Sequence, residues 1–455
     1  MWQRAGRGMA LFLMVSALCA GWSGAQDTAA AEKPAPPAMV TPEVVENPDV
    51  KLLDSEGAGK LYQVGEQLVC VMEGAPEEMG YQHGRLLAQK IHHVIKEGYM
   101  PKSLWNRNYT PEYVHAQSQR MEKHIPAPYI AEMKGIVKGL EAAGVKDISY
   151  EEVLLGVTQA EILHFSPNEP QGCSNFACWG QWTPDGRLLH GRNLDWTISR
   201  DAQDDAVILV WRPKGGSPFM MVGWAGGAGS VSGMNAKGIT IGEMTLPSPN
   251  ATFDGMPLFI TMRRVLEQSN LNDAVKVVQD GPHTSGWNFI IGDAQIPDGR
   301  ALEVDAKRCE VYAPMDPKET EETAHWAMPD AVRRTNHPIG KDQLLDLARI
   351  YGPEIGLKIE TWEQLKLVLP MLKTQNSYQR YDWMGKNISA EPGKVDIAKA
   401  LQLLRNGPVY SDATLHSCVF DPKNQTAYVA LAGNNPPVTA TERPFTKIDL
   451  KEWFK

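Results

Sequence analysis

Residues 172–196 read GCSNFACWGQWTPDGRLLHGRNLDW, and the punctuation of this stretch decides how the rest of the chain is organised. Gly172-Cys173 opens an alternating segment, Ser174 to Trp182. Pro184-Asp185-Gly186 signals a turn, and a second apolar segment ends in Arg192-Asn193-Leu194-Asp195. Two short apolar runs divided by Pro, Asp and Gly read as a β-hairpin. The return strand carries Arg192 and Asp195 back towards Cys173. A thiol beside a guanidinium and a carboxylate is a nucleophile with a means of activation.

The chain around it has 455 residues, room for one large domain or two to three ordinary ones. Hydrophobic content of 43% and charge of 22% belong to a globular protein with ample core. Arg4 and Arg7 precede an apolar run from Met9 to Trp22, and Ser23-Gly24-Ala25 supplies small residues for cleavage. Residues 1–25 therefore read as a secretory signal peptide, too short in its apolar core to span a membrane. Cys19 suggests a lipid anchor, but bulky Leu18 precedes it, and lipidation is not expected. Residues 26–50, with Lys33-Pro34-Ala35-Pro36-Pro37, read as a Pro/Ala-rich tether.

Removing residues 1–25 takes away two Arg and no acid, moving the net charge from −9 to −11. With no basic run left, nucleic acid and anionic membrane are poor candidates as partners. Five cysteines remain, Cys70, Cys173, Cys178, Cys309 and Cys418. An odd number in an oxidising compartment leaves one thiol unpaired. If that is Cys173, the others either form two disulfides or stay reduced as small buried hydrophobes.

Residues 51–172 read as a mostly helical leader after one opening strand, Gln67 to Met72. A helix beginning at Pro76-Glu77-Glu78 carries Met79, Leu86, Leu87, Ile91 and Ile95 at helical spacing. A second follows Pro111, and a third runs from Pro128 to Leu140. From Cys173 to residue 455 the texture changes to short strands and Gly-rich turns. Strands are expected at Leu188–His190, Ala206–Trp211, Phe219–Val222, Gly238–Glu243, Asn288–Gly292, Ala301–Val304, His416–Phe420 and Ala427–Leu431. Helices are expected near Pro257–Gln268, Asn272–Gln279 and Trp362–Leu369. The whole is α+β with much antiparallel sheet.

A thiol catalyst ordinarily needs a separate base. His190 lies on the return strand after Cys173, and the chain contains neither G-x-S-x-G nor H-E-x-x-H. Adjacent His92-His93 lack the spacing that puts two ligands on one helix face. Cutting the Gly172–Cys173 bond solves the problem, because the new α-amino group lies on the nucleophile's own residue. Its reference pKa of about 7.7–8.0 suits a general base near neutrality. Glycine at 172 leaves its carbonyl open to the thiol for an N-to-S acyl shift.

These residues resemble the isopenicillin N acyltransferase-like family of autoproteolytic acyltransferases and hydrolases, within the N-terminal-nucleophile (Ntn) hydrolases and related to choloylglycine hydrolase and acid ceramidase. The resemblance rests on Gly172-Cys173-Ser174-Asn175-Phe176-Ala177 and Gly191-Arg192-Asn193-Leu194-Asp195-Trp196. Glu78-Met79-Gly80-Tyr81-Gln82-His83-Gly84 is similar to that family's leader helix, and Gly233-Met234-Asn235-Ala236-Lys237-Gly238 to its G-x-N-x-x-G turn. Asn288–Ala294, Thr335-Asn336-His337-Pro338, Ser377-Tyr378-Gln379-Arg380-Tyr381 and Leu415-His416-Ser417 follow in the same order. An ordered set is more specific than any one motif.

The resemblance implies a four-layer αββα sandwich with Cys173 at a strand end, autocleavage between Gly172 and Cys173, and a thioester on Cys173. By the same likeness Arg192 favours thiolate, Asp195 holds the ammonium or thiol, Asn235 and Asn336 help form an oxyanion hole, and Arg380 completes the polar ring. The expected substrate is a small N-acyl amide or peptide, with no cofactor and no metal. Hydrolysis is favoured over coenzyme A transfer for an exported protein. The partners expected are the α- and β-chains of one precursor.

Each residue also has a structural reading. Cys173 can be a buried structural thiol, Arg192 with Asp195 an ion pair at a strand end, Asn235 and Asn336 turn formers, and Arg380 a solvated surface residue. Cys178 lies five residues from Cys173 on one strand, which puts the two side chains on opposite faces. Two alternatives to the amidase are an uncut, inactive binding protein and a secreted thiol oxidoreductase using Cys173 and Cys178. Asn108, Asn250, Asn387 and Asn424 stand in glycosylation sequons. Trp179, Trp182 and Trp196 line an acyl pocket or fill core. The Gly-rich run 223–233 lacks a phosphate-loop pattern.

Overall fold

A computed structural model of the chain describes residues 39–104, 109–164, 171–196, 200–434 and 436–455. The signal-peptide reading, most of the tether and the Asn108 sequon lie outside these residues. Among the described residues the strands form two large sheets and one small hairpin. The seven-stranded sheet runs Val44–Val45, Phe445–Asp449, Thr426–Leu431, Thr414–Asp421, Gly186–Trp196, Gln171–Gly180, Ala331–Arg334. The ten-stranded sheet runs Cys309–Tyr312, Asp298–Val304, Trp287–Asp293, Ile239–Thr245, Ser232–Asn235, Phe219–Trp224, Ala206–Pro213, Gln67–Gly74, Gly59–Val64, Val50–Glu56.

The expected hairpin is present, with Gly172 opposite Asp195, Cys173 opposite Leu194 and Asn175 opposite Arg192. Its alternation separates two environments. Cys173, Ala177 and Trp179 belong to the core cluster shared with the ten-stranded sheet, and Asn175 abuts Gly242 of that sheet. Phe176 and Cys178 face the other way, packing with Met384, Ile388, Leu401 and Leu404. Those four come from helices Asn376–Ser389 and Ile397–Arg405, which cover the seven-stranded sheet. Helices Leu258–Leu266 and Leu271–Gln279 cover the ten-stranded sheet, completing the αββα order.

The leader contributes sheet as well as helix. Gln67–Gly74 runs parallel to Ala206–Pro213, and Gly59–Val64 and Val50–Glu56 extend the sheet beyond it. Val44–Val45, inside the expected tether, pairs with Phe445–Asp449. The outermost strand, Val50–Glu56, is exposed along nearly its whole length, so it carries no alternation for a reader of sequence to detect.

The motif Glu78–Gly84 has a packing explanation. Gly80 and Gly84 on helix Pro76–Leu86 face Gly135 and Gly139 on helix Ala127–Ala142. A Cβ at any of the four would overlap main-chain atoms of the partner helix. Glycines four apart on both helices let the two backbones touch. Glu78 also accepts from the Ala75 amide at 2.7 Å, closing the helix start ahead of Pro76. From this pair the buried Glu132 carboxylate reaches Arg263 Nη1 at 2.8 Å and Trp211 Nε1 at 2.9 Å, tying leader to the later sheet.

Candidate active site around Cys173

The strand register builds the site. Arg334 is the last paired residue of its strand and lies opposite Asn175. Continuing antiparallel by two residues puts Asn336 beside Cys173. Asn336 Oδ1 accepts from the Cys173 amide at 2.7 Å and from Arg380 Nη2 at 3.0 Å. Its Nδ2 donates to the Thr245 carbonyl at 2.9 Å. With two donors on one side and an acceptor on the other, the amide orientation is fixed by its partners. The Asn336 side chain thus grips the nucleophile's nitrogen, whereas the oxyanion role expected of it would need a donor aimed at the reacting carbonyl.

Arg380 sits on helix Asn376–Ser389, its Nε anchored on Asn376 Oδ1 at 2.7 Å. Nη1 reaches the Cys173 carbonyl and, at 3.0 Å, Ser174 Oγ. Arg380 is buried, 4% exposed, so the solvated-surface reading fails.

Arg192 is wholly buried and donates from Nη2 to Cys173 Sγ at 3.5 Å. The same nitrogen and Nε bond the Glu243 carbonyl at 2.9 and 3.2 Å. Nη1 lies 2.6 Å from His416 Nε2. A guanidinium only donates, so His416 accepts there and is held neutral; burial and Arg192 both push its pKa well down. Burial pushes the Cys173 thiol up to about 11, against the pull of Arg192. In the uncut chain Cys173 is a thiol awaiting a base.

Asp195 lies across the hairpin from Gly172. Thr414 Oγ1 donates to its Oδ1 at 2.7 Å, and burial lifts its carboxyl to about 6 against the opposing charge of Arg380. Its Oδ2 would stand 2.8 Å from a Cβ at position 172, so glycine there has a steric cause.

Asn235 is not brought to the site. Its Nδ2 donates to the Leu266 and Gln268 carbonyls, both at 2.7 Å, and its Oδ1 accepts from Lys237 and Ile239, both at 2.9 Å. All of its hydrogen-bonding capacity goes to tying the turn to the end of helix Leu258–Leu266, at the opposite end of strand Ile239–Thr245 from Glu243. His190 is likewise structural, bridging the sheets from Nδ1 to Thr240 Oγ1 and from Nε2 to Asn175 Oδ1, each at 2.7 Å.

Sequence reading missed Glu243. It stands within an otherwise uncharged buried strand, and its Oε2 is 3.6 Å from Arg192 Nη2. Burial pushes its carboxyl up to about 8, against Arg192, and its Oε1 has no hydrogen-bond partner. The signal was one acidic residue in the run Ile239–Thr245, since buried charge is rarely idle. Behind Asn336 stands a further support. Ser377 Oγ accepts from the Asn336 amide at 2.9 Å and lies 2.7 Å from His337 Nδ1, and His337 Nε2 lies 2.9 Å from His325 Nε2.

The five cysteines of the described residues are free, and Cys173 and Cys178 fall in different core clusters on opposite faces of their strand. That separation removes the geometric basis for a disulfide between them. Among the described residues, no three His, Cys, Asp or Glu side chains gather as metal ligands would. No described helix is long and apolar enough to cross a membrane.

The face of Cys173 opens into a small void bounded by Asp195, Glu243, Thr245 and Trp287. An adjoining, larger void shares Ala160, Trp196, Trp224 and Phe259 with it as a common wall.

The family described as acyl-coenzyme A:6-aminopenicillanic acid acyl-transferase matches residues 182–436, more than half the chain. The matched span begins beyond Cys173 and includes Arg192, Asp195, Glu243, Asn336 and Arg380. An uncharacterized protein of Archaeoglobus fulgidus is 26% identical over 432 residues, covering 89% of this chain and 66% of the relative. Protein dcd1B of Dictyostelium discoideum is 23% identical over 291 residues, covering 57% of this chain and 55% of the relative. The chain therefore spans less than two thirds of the length of either curated relative. Among solved structures, a Caenorhabditis elegans N-acylethanolamine-hydrolyzing acid amidase ortholog gives a TM-score of 0.37 at 15% identity, covering 55% of this chain and 93% of that one. The Cys-to-Ala mutant of conjugated bile acid hydrolase from Clostridium perfringens gives 0.37 at 12% identity, covering 62% and 93%.

Proposed function

We propose, from the premise that the chain belongs to the acyl-coenzyme A:6-aminopenicillanic acid acyl-transferase family, that it is an autoproteolytic cysteine amidohydrolase. Residues 51–172 and 173–455 are then an α-chain and a catalytic β-chain that stay associated. Residues 1–25 serve as a signal peptide and the enzyme acts outside the cytoplasm.

The observation that most supports this reading is the double hold on a single residue. Asn336 grips the nitrogen of Cys173 at 2.7 Å while Arg192 reaches its sulfur at 3.5 Å. In the first reaction Sγ attacks the Gly172 carbonyl, the C–N bond breaks, and the nitrogen takes the thiol proton. Water then hydrolyses the thioester, leaving a carboxylate on Gly172 and a free amine on Cys173. In turnover that amine accepts the thiol proton, Sγ attacks the substrate carbonyl, and the departing amine carries the proton away. A second water frees the acyl group as a carboxylic acid.

Arg192 and Arg380 flank the residue and disfavour an ammonium there, while Asp195 and Glu243 favour one. Asn336 Oδ1, already an acceptor from this nitrogen, orients the lone pair's partner hydrogens.

The test is intact mass and N-terminal sequencing of purified protein, with turnover of an N-acyl amide panel. The expected result is two fragments, one beginning at Cys173, and a Cys173→Ala chain that stays whole and hydrolyses nothing. Hydrolysis by Cys173→Ala, or by a chain with Gly172–Cys173 intact, overturns the reading. A whole and inactive wild-type chain favours the binding-protein alternative.

A further inference from the structure

We infer that Gly156 and Ala160 of the leader helix set the length of an unbranched apolar acyl group that the enzyme accepts. This rests on the amidase reading above and names the substrate class for that site. The two residues lie one turn apart on helix Tyr150–His164, and both border the larger void.

Gly156 is the informative one. Glycine inside a helix is less stable than alanine by about 0.5–1 kcal/mol, so a helix keeps one where backbone or space requires it. At Gly80, Gly84, Gly135 and Gly139 the requirement is a neighbouring backbone. At Gly156 a Cβ would meet nothing within 4 Å. Its missing side chain enlarges the void instead of admitting another helix.

The wall around it is apolar. Val94, Ile95, Met100 and Val153 contribute from the leader, with Phe259 and Leu415 opposite. Gln159 is polar: its Nε2 is turned back onto the Gly156 carbonyl at 3.1 Å, while its Oε1 and Trp196 Nε1 are buried without a hydrogen-bond partner. The remaining wall is largely apolar and accepts hydrocarbon. Ala160 borders both voids, so its small side chain leaves the wall between them thin on the way to Cys173. An acyl carbon bonded to Cys173 Sγ has its tail directed past Ala160, between Trp196, Trp224 and Phe259, towards Gly156. The residues that gauge the tail are therefore in the segment cut away from the nucleophile.

The experiment compares kcat/KM for butanoyl and palmitoyl amides of one amine, using the matured wild type, Gly156→Ala and Gly156→Leu. The palmitoyl-to-butanoyl ratio should fall in that order, by on the order of tenfold or more for Leu, since each misfit methylene in an apolar pocket costs about 10–200-fold. A ratio unchanged in both variants overturns the inference. Gly156→Ala keeps the test decisive if the Leu chain fails to fold. Calorimetry with free dodecanoate on uncut Cys173→Ala protein separates the two levels of the argument. Binding that Gly156→Leu abolishes sustains the chamber even where amides are not turned over. Absence of binding to the Cys173→Ala chain overturns the chamber and leaves the cleavage reading standing.

Discussion

Gly172→Ala separates self-cleavage from turnover. The added Cβ would sit 2.8 Å from Asp195 Oδ2, closer than such atoms approach, and a tight 3.1 Å from the Asp195 Cβ. The carboxylate must swing away, and the bond it accepts from Thr414 at 2.7 Å is lost or stretched. A hydrogen bond to a charged group is worth about 1.5–3 kcal/mol, and each 1.4 kcal/mol on a barrier is a factor of about ten. If Asp195 acts in the cut, precursor processing should slow by about tenfold to a hundredfold. Once cut, residue 172 is a free chain end and can withdraw from Asp195. Matured Gly172→Ala enzyme should then hydrolyse substrate within about twofold of wild type. The assay is translation in vitro, quenched at intervals and resolved by intact mass, followed by kinetics on the matured fraction. Processing at the wild-type rate would refute the role given to Asp195. Equal losses in processing and turnover would show that the methyl group acts through the fold.

Further outcomes follow from other parts of the molecule. Cys178→Ala should process and turn over normally, because this thiol faces Met384 and Leu401 on the far side of the strand; a processed but inactive variant would restore the oxidoreductase reading. Gly84→Ala should destabilise the chain by about 1–3 kcal/mol, as overpacking does, and lower its melting temperature, whereas Gly156→Ala should not. Buried Glu161 has its carboxyl pushed up to about 8 by desolvation, one oxygen bonded by the Leu258 amide at 2.5 Å and the other without a partner. A carboxyl whose folded pKa is raised holds its proton longer folded than unfolded, so its contribution is present below about pH 4.5 and is lost as pH rises towards 8. The slope reaches about 1.4 kcal/mol per pH unit. Glu161→Gln should narrow the difference in melting temperature between pH 5 and pH 8, and an unchanged difference would refute this assignment.

What was legible in the sequence was whatever the local pattern had to satisfy alone. The hairpin at 172–196 carries its own turn residues and alternation, and its register then puts Gly172 opposite Asp195 without help from elsewhere. Asn336 and Arg380 came from likeness to a family, and their positions depend on a strand order no local pattern reveals. Asn235 shows the cost of reading a motif without its surroundings, since a Gly-flanked turn and an oxyanion donor favour the same residue type. Glu243 was hidden for the converse reason. It lies in a strand read only for its apolar content, and its importance arises from Arg192, which reaches it from the opposing sheet. Strands Val50–Glu56 and Gly59–Val64 escaped because the first is exposed on both faces and has no period to betray it. The same contrast separates the glycines of the leader. Gly80 and Gly84 share a motif with a four-residue interval, but only the structure distinguishes a glycine that admits a helix from one, Gly156, that holds a space open. If that space receives substrate, Ala160→Val should slow long-chain hydrolysis before short-chain hydrolysis, because residue 160 stands between that space and Cys173.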